Sequence, residues 1–113
     1  MERVEKYKEL CKKIIQDIYE QYVSSDDEIR NQIIFDEDSR NYLLIMNGWK
    51  GESRFYGILI HFEVTDSEKI WVHQDNTDLI VVDKLLDQKV PKKDIILGFH
   101  APIMRPDTDF AEA

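Results

Sequence analysis

The hydrophobic period of this chain changes twice, and that restricts the fold more than any other feature. Over residues 2–22 the side chains Val4, Tyr7, Leu10, Cys11, Ile14, Ile18 and Tyr22 recur at steps of three or four. That spacing stacks them on one face of a helix. Lys6, Glu9, Lys13, Gln16 and Glu20 fall on the other face. Ser24-Ser25-Asp26-Asp27 breaks the pattern, because short polar side chains compete for backbone hydrogen bonds. Four extended segments follow, at residues 30–35, 41–49, 54–64 and 69–74, rich in β-branched and aromatic residues. They are separated by the polar turns Asp36-Glu37-Asp38-Ser39-Arg40, Lys50-Gly51-Glu52-Ser53 and Thr65-Asp66-Ser67-Glu68. Connections this short force antiparallel neighbours, because a parallel crossover takes a dozen or more residues. The helical period then returns. Asp75-Asn76-Thr77-Asp78 supplies capping side chains for the first free backbone N–H groups of a second helix. Leu79, Val82, Leu85 and Leu86 form its stripe, and Val90-Pro91 ends it. Ile95-Ile96-Leu97 reads as a strand or a buried turn, and beyond Gly98 no period is legible. The expectation is an α+β fold in one domain over residues 1–113. A four-stranded antiparallel sheet packs on the N-terminal helix and on a second helix at residues 76–86. Leu10, Ile14, Ile18, Ile58 and Ile60 are expected to form the core.

The central strands are apolar on both sides. Residues 54–64 carry Tyr56, Ile58, Ile60, Phe62 and Val64 on one alternation and Phe55, Leu59 and His61 on the other. Residues 41–49 place Tyr42, Leu44 and Met46 opposite Leu43 and Ile45. An antiparallel sheet with one wet face alternates apolar with polar instead. Two helices cover one face, so the other calls for the C-terminal segment, a second copy or a partner. Pro102, Ile103, Met104 and Phe110 in the tail can cover part of it. An open remainder would exceed the few hundred Å² that monomers tolerate, so a homo-oligomer is expected.

With 113 residues, 42% hydrophobic and only 4 Gly and 3 Pro, the chain can bury a core without disulfides or metal. Cys11 is the only cysteine, which excludes an intramolecular disulfide. The charged start Met1-Glu2-Arg3-Val4-Glu5-Lys6 lacks the apolar region of a signal peptide, and no apolar run is long enough to span a bilayer. A cytoplasmic protein without membrane contact is expected. The net charge is −8 and the isoelectric point about 4.8. That balance works against direct nucleic-acid binding, which draws on basic groups, and suits a basic protein partner.

Residues that could carry chemistry do not converge. His61, His73 and His100 with Asp75 could make a metal or acid–base site, but no fixed spacing ties them together. Packed or surface histidines are the simpler reading. Asp36-Glu37-Asp38 and Asp26-Asp27-Glu28 sit in turns, where acids are solvated, and lack the spacing of a calcium loop. Cys11 lies on an apolar stripe, where a thiol behaves as a small hydrophobe. Lys92, Lys93 and Arg105 make a small basic neighbourhood that reads as a solvated face. No enzyme activity, cofactor, metal or catalytic residue is expected. The candidate interaction residues are Trp49, Trp71, His100, Pro102, Met104 and Phe110, since Trp is enriched at binding hot spots. The alternative is a small-ligand or enzymatic domain using His61, His73 and Asp75.

Several segments carry a likeness in order. They are the first helix from Glu5-Lys6-Tyr7-Lys8 to Ile15, Gly48-Trp49, the run from Tyr56 to His61, the run from Lys69 to Asp78, and the C-terminal stretch from Val90 to Ala111. Each is weak alone, but their order and spacing over one domain resemble the XisI family, the fdxN-element excision controlling factors of cyanobacteria. The chain departs from the family at Arg105-Pro106-Asp107, where a more basic or aromatic sequence is expected. The resemblance implies a factor acting with a companion protein, XisH, and a site-specific recombinase. Together these remove a DNA element from a nitrogen-fixation gene during heterocyst development. It carries over no catalytic residues. XisH-like proteins resemble nucleases, and an acidic partner for a basic nuclease-like protein fits the charge.

Overall fold

The computed structural model describes residues 2–21, 28–77 and 80–112. The predicted break at Ser24-Ser25-Asp26-Asp27, Tyr22, and the helix-start residues Asp78 and Leu79 lie outside them. The first helix, α1, spans Glu2–Gln21 and buries Val4, Tyr7, Cys11, Ile14, Ile15 and Ile18. Glu2 and Glu5 in its first turn face the positive end of the helix dipole.

The sheet has five strands rather than the four expected, in the order β1 (Ile29–Asp36), β2 (Asn41–Lys50), β3 (Ser53–Val64), β4 (Ile70–Asp75) and β5 (Ile95–Leu97). β1 to β4 form the expected antiparallel meander. β5 adds to β4 in parallel, pairing Ile70 with Ile95 and Val72 with Leu97. The physical reason lies in the connection. Residues 76–94 are long enough to cross back over the sheet, so Ile95-Ile96-Leu97 satisfies its backbone on the open edge of β4. Tight turns hold the meander. Gly51 takes φ of 61° at the first position of the two-residue loop joining β2 to β3, where a type II′ hairpin needs glycine.

A bulge corrects the expected faces of β3. Leu44 pairs with Ile60 but Ile45 pairs with Ile58, so Leu59 is an extra residue on β3. The alternation reverses there. Ile60, Phe62 and Val64 point to the helices and are fully buried, whereas Tyr56 and Ile58 share the opposite face with Ile45. Ile58, expected in the core, is 39% exposed, and Leu10 is only partly buried, while Ile14, Ile18 and Ile60 are core as expected.

The core lies between the sheet and the two helices. Tyr42, Leu44, Ile60, Phe62, Val64, Ile70 and Val72 meet the α1 stripe and Val81, Val82 and Leu85. The second helix, α2 (Val81–Asp87), starts later than the 76 expected. The delay has a local cause. The Asp75 carboxylate accepts from Thr77 N and Thr77 Oγ1 and then from Val81 N, closing a turn ahead of the helix. Among the described residues one charged side chain is buried with the core. Asp94, 2% exposed, accepts from the Tyr7 hydroxyl at 2.5 Å, with Lys69 at 3.6 Å and Arg3 at 3.8 Å. It ties the start of α1 to the turn before β5.

Candidate functional site

The sheet face away from the helices is assembled in rows by the strand register. At one end stand Asp36, Asn41 and Glu63, and next to them Ile34, Leu43 and His61. Gln32, Ile45 and Ile58 form the middle row. Arg30, Asn47 and Tyr56 follow, and Trp49 with Arg54 closes the far end. The Arg54 guanidinium lies over both rings, 5.3 Å from the centroid of Trp49 and 5.0 Å from that of Tyr56. Trp49 and Tyr56 remain 52% and 64% exposed. Stacked arginine and aromatic side chains are the groups that dominate protein interfaces.

At the other side of this face β4 contributes Trp71, His73 and Gln74, and a second register shift makes His73 the bulged residue. Trp71 and His73 stack at 5.3 Å, and the His73 and His61 rings are 4.7 Å apart. His73 Nε2 donates to Glu63 Oε1 at 2.9 Å, and His61 Nε2 donates to Asn41 Oδ1 at 2.7 Å. Burial, then the neighbouring His73, lowers the pKa of His61. The acid that meets this pair is Glu63, not Asp75, whose carboxylate holds the turn before α2. Sequence spacing could not show this, because both bulges alter the alternation. Among the described residues no three His, Cys, Asp or Glu side chains come together as a metal-holding set. Burial pushes the Cys11 thiol well above its ordinary value, as befits a packed hydrophobe.

The C-terminal segment straps the β4–β5 side of the same face. It begins at Gly98, whose N donates to Val72 O at the edge of β4. A Cβ there would lie 2.9 Å from His73 Nδ1 and 3.1 Å from the Trp71 ring, so a larger residue would push these two side chains aside. A 3₁₀ turn at Pro102–Asp107 follows. It is pinned by Arg105, whose guanidinium sits 5.1 Å from the Trp71 ring centroid and whose Nε donates to His100 O. Ala111 N then donates to Ile95 O and bridges beside Ile96, which is fully buried.

The six candidate interaction residues therefore separate. Trp71 and His100 are half-buried under the strap, with the His100 ring edge-on to Phe99. Phe110 packs against the core beneath Lys92. Pro102 and Met104 are exposed, and Trp49 lies at the far end of the sheet. The candidate set lacked Arg54 and Tyr56 beside Trp49, and Phe99. Ile103, expected to help cover the sheet, is instead 82% exposed. The tight Lys50-Gly51-Glu52-Ser53 turn was the available signal for the first group, since it fixes Arg54 opposite Trp49. Among the described residues, two of the clefts lie on the helix side. One, of about 150 Å³ between α1 and α2, is lined by Leu10, Lys13, Ile14, Asp17, Lys84, Asp87 and Gln88. The other, of about 340 Å³, lies beside Arg3, Tyr7 and Pro91. Among the described residues no helix is long and apolar enough to cross a membrane.

Comparison with known proteins matches this architecture. A crystal structure of a XisI-like protein from Anabaena variabilis ATCC 29413 superposes with a TM-score of 0.91 at 37% identity, covering 97% of this chain and 99% of that one. The fdxN element excision controlling factor XisI from the same organism superposes with a TM-score of 0.86 at 35% identity, covering 98% and 99%. No curated protein matches. The family described as XisI protein matches residues 1–112, the helix, sheet and C-terminal strap together. With family, fold and near-complete coverage in agreement, the chain belongs to the XisI family.

Proposed function

We propose that this protein is an accessory controlling factor of DNA-element excision that binds a companion protein and performs no chemistry of its own. Similarity to the fdxN element excision controlling factor of Anabaena variabilis supports the process. The observation that carries the mode of action is the apolar knob on the C-terminal strap. Ile103 is 82% exposed and Met104 55%, and Phe99 earlier on the same segment is also exposed, although the turn that carries Ile103 and Met104 is held by Arg105 on Trp71. A rigid mount for exposed Ile and Met suits a protein partner, because ordering cost at the interface is already met. An XisH-like companion is the partner of this reading. The −8 charge complements a basic nuclease-like surface and disfavours direct contact with DNA.

Co-expression with an XisH-like protein from the same genome tests it. The wild type is expected to co-purify at fixed stoichiometry, and Ile103→Asp with Met104→Asp to lose the companion while keeping its thermal melt. Retention by the double variant would move the contact elsewhere on the chain. Salt-sensitive DNA retention by the protein alone would replace this reading with direct binding.

A further inference from the structure

The strap covers only the β4–β5 side of the outer face. Over β1 to β3 the described residues leave a patch open, and its charge has a direction along β3. On β3 Glu63 stands at one end and Arg54 at the other, with Ile58 between, and Leu43 and Ile45 flank it on β2. On β1 Asp36 stands at the acidic end, and Arg30 lies one row short of the other, level with Asn47 and Tyr56. We infer that a second copy of this chain covers the patch, in a two-fold dimer with the two sheets face to face.

The argument is self-complementarity. A two-fold contact puts the same patch on both sides, so the patch must match its own reversed image. An axis lying between the sheets, across the strands and over the Ile45–Ile58 pair, produces that reversal. Asn41 and Trp49 stand equally far from Ile45 along β2. Once the bulged Leu59 is discounted, Glu63 and Arg54 stand equally far from Ile58 along β3. The rotation therefore sets Arg54 of each copy over Glu63 of the other, twice. It closes Ile45 and Ile58 on their own counterparts and brings Tyr56 over His61 and Trp49 over Asn41. Sheets stacked this way pack ~10 Å apart with their strands nearly aligned. An unrelated partner is under no constraint to mirror the chain's own charge order, whereas a second copy mirrors it by symmetry. The match is carried by β2 and β3 and not by β1, where the same rotation sets Asp36 over the position of Glu28 and Arg30 over Ile34. Glu52 also lies near the basic end, and His73 already holds Glu63. The charges therefore set orientation, and the apolar rows supply the attraction.

The patch measures roughly 14 by 27 Å at ordinary strand spacing and rise. That is small for a specific interface, so the dimer dissociates on dilution. The knob on the strap lies at the opposite edge and stays free for a companion.

Sedimentation of the full chain over a wide concentration series is the test, with thermal melts as folding controls. The wild type is expected to pass from monomer to dimer. Ile58→Glu, at an already exposed position, should remain monomeric with its melt unchanged. Arg54→Glu should raise the dissociation constant about ten-fold or more, and adding Glu63→Arg should restore most of that loss. A wild type monomeric at every concentration overturns the inference, even if it binds another protein through this face. An Ile58→Glu variant that dimerises normally does the same. A double variant as weak as Arg54→Glu would remove the proposed orientation.

Discussion

The two faces of the sheet are made of similar residues and have different fates. On the helix side Leu44, Ile60, Phe62 and Val72 are closed over by α1 and α2. On the other side Leu43, Ile45, Ile58 and Tyr56 are as apolar, yet no part of the described chain covers them. The described residues cover the outer face only where the strap crosses β4 and β5, and there Ile96 is as buried as any core residue. Apolar composition thus decides that a face needs a cover. What decides whether it gets one is the length and path of the connections. Two helices and one short strap close the inner face and part of the outer one.

The contrast is broken or confirmed most strongly by truncating one large side chain on each face of β3. Phe62→Ala removes a fully buried ring and should cost ~3–5 kcal/mol. That is a large part of the stability of a domain this size. Tyr56→Ala, measured dilute to avoid association, should stay within ~0.5 kcal/mol of the wild type. Denaturant titrations with equal slopes would read both. Equal losses would mean that the outer face is covered within the monomer.

Polar contacts sharpen the same comparison at a smaller scale. Tyr7→Phe deletes the 2.5 Å hydrogen bond to buried Asp94 and leaves that carboxylate only the longer contacts to Lys69 and Arg3. A loss of ~1–3 kcal/mol is expected. Burial and the Asp94 hydrogen bond also hold the Tyr7 hydroxyl well above its usual pKa, so it stays a donor at any working pH. Glu63→Gln on the outer face breaks a half-exposed pair with His73 and should change the melt by ~1 kcal/mol or less. A reversed order would place the structural polar contact on the outer face.

Much of this was legible in the sequence, for reasons that differ by element. The α1 stripe reads directly, because one unbroken period buries Val4, Tyr7, Cys11, Ile14 and Ile18 together. The meander reads from its short turns. The fifth strand does not, because three apolar residues fit a strand or a buried turn equally until β4 offers an edge. The faces of β3 misread because a single extra residue at Leu59 inverts every side chain before it, and a bulge has no signature in an apolar run. The exposed face itself was visible as two-sided apolarity. The strap was not, since Gly98 beside Trp71 and Arg105 on Trp71 are contacts between segments distant in sequence.

The smallest expected difference between the faces is in their response to acid. Among the described residues the titratable histidines of the sheet, His61 and His73, are both on the outer face, with Glu63 beside them and Arg105 beyond Trp71. Burial and His73 depress the pKa of His61, so the folded protein takes up its proton later than the unfolded chain as pH falls. The unfolded chain then binds more protons, and stability rises with pH across that window. The contribution is complete above the ordinary histidine value near 6.5. It diminishes as pH falls below that value towards the lowered folded pKa. Because His61 is only partly buried, the effect should be under ~1 kcal/mol. Melts of dilute protein at about pH 7.5 and about pH 5.5, for the wild type and His61→Gln, isolate it from the carboxylates that titrate lower. The variant is expected to show the flatter dependence. A variant as steep as the wild type would assign the acid response to other groups and leave His61 with no part in the difference between the faces.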